Sequence, residues 1–247
     1  MNILFIGNSY TYCNNLPGLV HRLWELDSTN KTADYKLNIE SITAGGRRLY
    51  NNLTDDRIGL NPDDEQAARI AEYLKNNKCD VLVLQEQSLL PITEPDNFIA
   101  SAAGLAAAIK PERTILYATW GRNEGSDTLT ELGLTTDEMT SRLYASYKAA
   151  AEQIVKNGYA CDVSPAGPAF TAARRIAPEI VLYNPDCSHP SFTGSFLAAL
   201  THYLTIFGSL PAGLAELTPA SFELDTDTSK KLISAAEYAV NHKDEIK

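Results

Sequence analysis

Ser9, Asp186 and His189 are the residues of this chain whose types and spacing offer chemistry. Ser9 lies in GNSYT, residues 7–11, directly after an apolar run, and Asp186 stands three residues before His189 in DCSHPS, residues 186–191. A hydroxyl attacks a carbonyl well only when a base removes its proton, and an imidazole is a directed base only when a third group fixes its tautomer. Nucleophile, base and orienting acid are therefore all present by residue type. His189 precedes Pro190, which biases it towards extended backbone, and Ser191 can cap a following helix, so the ring projects from an anchored segment. The other histidines, His21, His202 and His242, fall inside helical patterns without an acid in a comparable loop. Taken alone, a serine in such a turn is ordinarily a cap and DxxH an Asx-type turn with a surface histidine. Their combination points to serine hydrolysis.

Such groups need a scaffold that brings opposite ends of the chain together. Short β-branched or aliphatic runs at 2–6, 36–42, 80–84, 114–118 and, more weakly, 159–163 alternate with helical patterns, which predicts a mostly parallel sheet. The clearest helix is 137–157, where Met139, Leu143, Tyr147, Ala150 and Ile154 recur at steps of three or four. Thr135 and Glu138 have capping-box spacing ahead of it, and Gly158 suits a left-handed C-terminal residue. Pro62 followed by three acids predicts another helix start, and 98–109, 191–206 and 229–241 complete the set. No linker or repeat divides the chain, so 1–247 reads as a single domain.

In an open parallel sheet, functional groups gather beyond the carboxyl ends of the strands. Ser9, Gly45, Gln85 and Trp120 each follow one of the expected strands. The polar stretch 120–134 is longer than most β/α connections and reads as a lid or substrate wall, with Trp120 either stacked on a sugar ring or packed in the core. Glu86 and Glu94 read as solvated carboxylates on an acidic chain.

Composition sets the outer bounds. The chain has 247 residues, 44% of them hydrophobic, and a net charge of −10, from 31 acids against 21 bases. That charge argues against a nucleic-acid partner and against anionic lipid, and no apolar stretch is long enough for membrane insertion. A neutral or uncharged substrate fits better. Cys13, Cys79, Cys161 and Cys187 show no CxxC or metal-finger spacing and read as reduced structural thiols. No cofactor or metal is expected. The chain opens on MNILFIG, a strand without the features of a signal peptide, which fits a cytoplasmic protein and a trimmed secreted or periplasmic one equally. Oligomeric state stays open.

GNSYT after the first strand and DCSHPS near the C-terminus together resemble the first and last blocks of the SGNH (GDSL-like) hydrolase superfamily. The resemblance implies a three-layer α/β/α fold, flavodoxin-like, with a mostly parallel five-stranded sheet. It also implies an oxyanion hole made by the serine N–H, a glycine after the second strand and an asparagine after the third. TAGG, residues 43–46, supplies Gly45, with Gly46 as alternative. The third block departs from GxND: LQEQS, residues 84–88, offers Gln85 or Gln87 instead, and Asn123 in WGRNEG is a further candidate. The implied activity is a metal-independent serine esterase acting on a small-molecule or glycan ester, with a lean towards acetyl groups on carbohydrate. Two other classes remain beside it: a flavodoxin-like phosphate or cofactor binder using the GNSYT loop, and a catalytically silent glycan-binding protein of the same fold.

Overall fold

The computed structural model describes residues 1–32 and 36–243. Its elements run β1 (Asn2–Gly7), α1 (Ser9–Tyr12), α2 (Leu16–Leu26), β2 (Asn38–Thr43), α3 (Glu65–Asn76), β3 (Val81–Leu84), α4 (Leu90–Thr93), α5 (Pro95–Ile109), β4 (Arg113–Tyr117), α6 (Asp127–Leu132), α7 (Thr136–Lys156), β5 (Cys161–Ser164), α8 (Ala166–Ile176), α9 (Phe192–Phe207), α10 (Leu214–Phe222) and α11 (Thr226–Asn241). The strands form one sheet in the order β2-β1-β3-β4-β5. β1 is parallel to β2 on one side and β3 on the other, with Gly7 opposite Thr43 and Ile6 opposite Leu84, and β3 is parallel to β4. Ile3 to Ile6 are buried throughout, as a strand covered on both faces requires.

The strands lie within two residues of the expected runs, whereas several helices begin elsewhere. α3 starts at Glu65, three residues after Pro62, because the Asp64 carboxylate accepts the Ala67 N–H at 2.9 Å and sets the cap there. α5 starts at Pro95, whose missing N–H costs nothing in a first turn. α11 starts at Thr226, capped by Asp225. The capping box of α7 is present, with Thr135 and Glu138 each bonding the other's backbone N–H, and Gly158 follows with φ +89°. The 120–134 stretch is not all loop, since it contains α6. α8 and α10 fall outside the helical runs expected from the sequence, whereas α2 carries the helical pattern around His21, with Leu16, Leu19, Val20 and Leu23 buried at helical spacing.

The contacts divide the chain into two compact units interleaved in sequence. The first comprises Met1–Tyr12, Leu37–Ala118 and Arg142–Val163. Its core joins the apolar strand residues to Phe98 and Leu105 of α5 and Tyr147 of α7, with the Phe98 and Tyr147 rings edge to face at 4.7 Å. The second comprises Cys13–Lys36, Thr119–Ser141 and Ser164–Lys247. In it α9 packs against α2, α8 and α11, burying Phe196, Leu197, Leu200 and Tyr203. Among the described residues no helix is long and apolar enough to cross a membrane.

Candidate functional site

Within the first unit, the parallel pairing of β1 with β3 delivers the serine turn and Gln85 to the same end of the sheet. Gln85 is buried, and its Oε1 accepts the Asn8 N–H and the Thr11 hydroxyl, both at 2.9 Å. Its amide nitrogen donates to the Glu86 carbonyl. A Cβ on Gly7 would stand 2.5 Å from Thr11 Oγ1 and 2.7 Å from Gln85 Oε1, so the glycine is what lets Gln85 reach the turn. Asn8 accepts the Tyr10 N–H at 3.2 Å and donates to the Arg47 carbonyl at 3.0 Å, tying the serine turn to the loop after β2. Ser9 opens α1 from this held backbone and is half-buried. The structure thus uses Gln85 inside the turn, which differs from its expected use on a substrate oxygen.

The loop after β2 turns at Ala44 to Arg47, where the Arg47 N–H donates to the Ala44 carbonyl at 3.2 Å and Gly46 adopts φ +64°. Gly46 is the residue the turn requires as glycine. Among the described residues, none accepts the N–H of Gly45 or of Gly46. The heavy atom within 4 Å of a Cβ placed on Gly45 is the Tyr12 hydroxyl, at 3.4 Å. Two backbone donors therefore remain available at this loop. Gln87 accepts the Leu89 N–H at 2.8 Å through its side-chain oxygen.

Glu86 corrects an expectation, for it is buried rather than solvated. Burial pushes its carboxyl up to about 7, against N–H bonds from Gln87 at 2.6 Å and Leu49 at 3.1 Å that favour the charged form. Through Leu49 it fastens the loop after β2 to the end of β3. Glu94 does stand partly in solvent, paired with Arg48 at 3.5 Å and bonded to Asn97 at 2.9 Å.

The DCSHPS loop belongs to the second unit. Asp186 Oδ2 lies 2.6 Å from His189 Nδ1, while Oδ1 accepts the N–H groups of Ser188 at 3.0 Å and His189 at 2.9 Å. Partial burial works against the Asp186 charge, but the ring and the two backbone donors outweigh it and hold the carboxyl below the usual carboxylate range. Cys187 has φ +58°, which folds the loop so that the Asp186 carboxylate returns to the ring three residues on. The Asn184 N–H donates to the His189 carbonyl at 2.8 Å, and Asn14 Nδ2 donates to the Pro190 carbonyl at 3.2 Å. Ser191 caps α9 by accepting the Gly194 N–H at 3.1 Å.

Trp120 holds this loop instead of facing a ligand. Its ring is fully buried, stacked on Phe170 at 3.9 Å, and its indole N–H donates to the Ser188 carbonyl at 3.1 Å. Of the two expectations for Trp120 the structure shows core packing and corrects the substrate wall, because a ring with no exposed face cannot stack on a sugar. Arg122 donates to the Ser188 hydroxyl, and the Asn123 N–H donates to the Cys187 carbonyl at 2.8 Å. These two residues, with Asn14, are loop supports that spacing alone does not reveal. Asn123 is half-buried, in a different unit from Gly45.

The remaining titratable groups fit structural roles. His202 is fully buried in α9, and burial lowers its imidazole to about 3, which suits a neutral core residue. All four cysteines are free thiols, and burial raises Cys79 and Cys161 to about 12. Among the described residues, no three His, Cys, Asp or Glu side chains gather to hold a metal ion.

No family model matches the chain. A solved structure of a proposed SGNH hydrolase from Slackia heliotrinireducens is 29% identical, covering 83% of this chain and 98% of that one with a TM-score of 0.66. A DUF4886 family protein from Bacteroides uniformis is 19% identical with a TM-score of 0.74, covering 100% of this chain and 97% of that one. Among curated proteins, an extracellular serine protease of Serratia marcescens is 24% identical over 179 residues, which are 72% of this chain. The chain spans only 17% of that protease's length. The fold follows: the three-layer α/β/α class with a mostly parallel five-stranded sheet, flavodoxin-like, as in several SGNH and GDSL-like hydrolases.

Proposed function

We propose that the chain is a serine hydrolase of carboxylic esters, with Ser9 as nucleophile, His189 as general base and Asp186 as the orienting acid. The observation that carries this reading is the 2.6 Å contact between Asp186 Oδ2 and His189 Nδ1. A carboxylate at that nitrogen keeps the proton on Nδ1, and Nε2 is then the basic nitrogen. Asp186 stays ionised through the mildly acidic range because its carboxyl is held below the ordinary value. Likeness to a proposed SGNH hydrolase at 29% identity supports the same class of chemistry.

In the reaction His189 Nε2 takes the Ser9 proton as Oγ bonds to the carbonyl carbon, and the carbonyl oxygen becomes an alkoxide. The Gly45 N–H, which has no acceptor among the described residues, serves as an oxyanion donor, with Gly46 the alternative. His189 then protonates the leaving alcohol, and water releases the acyl group by the same cycle. The acyl group we assign is short, acetyl first, on a carbohydrate alcohol. Trp120 takes no part in binding the sugar, since it is buried. The test is hydrolysis of p-nitrophenyl acetate and a panel of acetylated sugars by wild type and Ser9→Ala. Loss of turnover in the variant is expected, and equal rates would remove Ser9 from the mechanism.

A further inference from the structure

Ser9 and Tyr12 are the first and last residues of the single turn α1, three apart and so on neighbouring positions of one face. Tyr12 is 46% exposed, whereas Tyr10 and Thr11 before it are buried. Its hydroxyl sits 3.4 Å from the Cβ position of Gly45. Among the described residues neither this hydroxyl nor the Gly45 N–H has a hydrogen-bond partner. The phenolic oxygen thus lies against Gly45, whose N–H has no acceptor among the described residues, next to the serine turn and within one unit. LQEQS lacks the asparagine of the resembled family, and Gln85 accepts from the Asn8 N–H and the Thr11 hydroxyl.

We propose that the Tyr12 hydroxyl is the side-chain oxyanion donor of this enzyme, acting beside the Gly45 N–H. This rests on Ser9 being the nucleophile. As Ser9 Oγ bonds to the carbonyl carbon, the C=O π pair moves onto oxygen and the Ser9 proton passes to His189. Tyr12 O–H and Gly45 N–H donate hydrogen bonds to that oxygen and keep their own protons. When the tetrahedral species collapses, the pair returns to form C=O, the bond to the alcohol breaks and His189 protonates the alcohol. A phenol donor strengthens as charge develops on the oxygen, so it lowers the barrier more than it tightens the ground state. The interaction belongs to kcat, not to KM.

The experiment compares wild type, Tyr12→Phe and Tyr12→Ala for kcat and KM on p-nitrophenyl acetate, with melting curves and fluorophosphonate labelling of the wild type mapped by mass spectrometry. Tyr12→Phe keeps the ring, and is expected to melt as wild type does, to retain KM within about twofold and to lose kcat on the order of 10²-fold. Tyr12→Ala is expected to lose no more kcat than Tyr12→Phe. Wild-type kcat in Tyr12→Phe, with Ser9 labelled in the parent enzyme, overturns the proposal and leaves the esterase reading standing. A raised KM with unchanged kcat overturns it too, making Tyr12 a binding surface. If the wild type neither turns over nor is labelled at Ser9, both fall together.

Discussion

Replacing Gln85 with methionine separates its two conceivable roles. Gln85→Met keeps the length of the side chain and removes every hydrogen bond it makes. The Asn8 N–H and the Thr11 hydroxyl would lose the acceptor they share at 2.9 Å, and both residues are buried, at 3% and 0% exposed. An unsatisfied buried donor costs about 1–3 kcal/mol, so the two together should cost about 2–6 kcal/mol. In a chain of this length 1 kcal/mol corresponds to roughly 2–4 °C, which places the expected loss in melting temperature at roughly 4–24 °C. Circular-dichroism melts measure that loss, and amide exchange at Asn8 should accelerate alongside it. Gln85→Glu retains that shared acceptor oxygen and should recover much of the stability at acidic pH, where the added carboxyl is neutral. Unchanged melting in Gln85→Met together with abolished turnover would refute this reasoning, because it would mean the amide acts on substrate rather than on the serine turn.

Two further expectations concern the acids. Burial raises the Glu86 carboxyl from 4.5 to about 7, so the fold favours its neutral form. The stability it contributes is complete below the unfolded value and lost as pH rises through about 7, a span of about 3 kcal/mol. Glu86→Gln should flatten that part of the stability profile in denaturant titrations between pH 5 and 8, and an unaltered slope would exclude Glu86 as its source. Asp186→Asn can still accept the Ser188 and His189 N–H groups, but its amide would turn the protonated nitrogen of His189 outward. The expected result is a fall in kcat on the order of 10³-fold or more with melting nearly unchanged.

The strands were legible because their signal is local. Ile3 to Ile6 form a continuous apolar run, which is what burial on both faces demands, and Thr135 with Glu138 mark their helix by spacing alone. DCSHPS was legible for the same reason, since the Asp186 carboxylate reaches its ring within a single loop. The roles of Gln85, Glu86 and Trp120 were not. Gln85 bonds a backbone N–H 77 residues away, Trp120 donates to a carbonyl 68 residues away, and Glu86 takes its burial and its N–H bond from Leu49, 37 residues back. Such partners are set by tertiary packing, and residue type alone left Trp120 open between substrate and core and gave a solvated Glu86. Pro62 misled for a related reason: the cap belongs to Asp64, which Arg47 also engages.

The assignment of Ser9 as nucleophile is tested most directly by reacting the purified protein with a fluorophosphonate and locating the adduct by peptide mass spectrometry. A single adduct is expected on Ser9, absent in Ser9→Ala and formed far more slowly in His189→Ala. An adduct on another residue, or steady ester hydrolysis by a protein whose Ser9 stays unmodified, would contradict it.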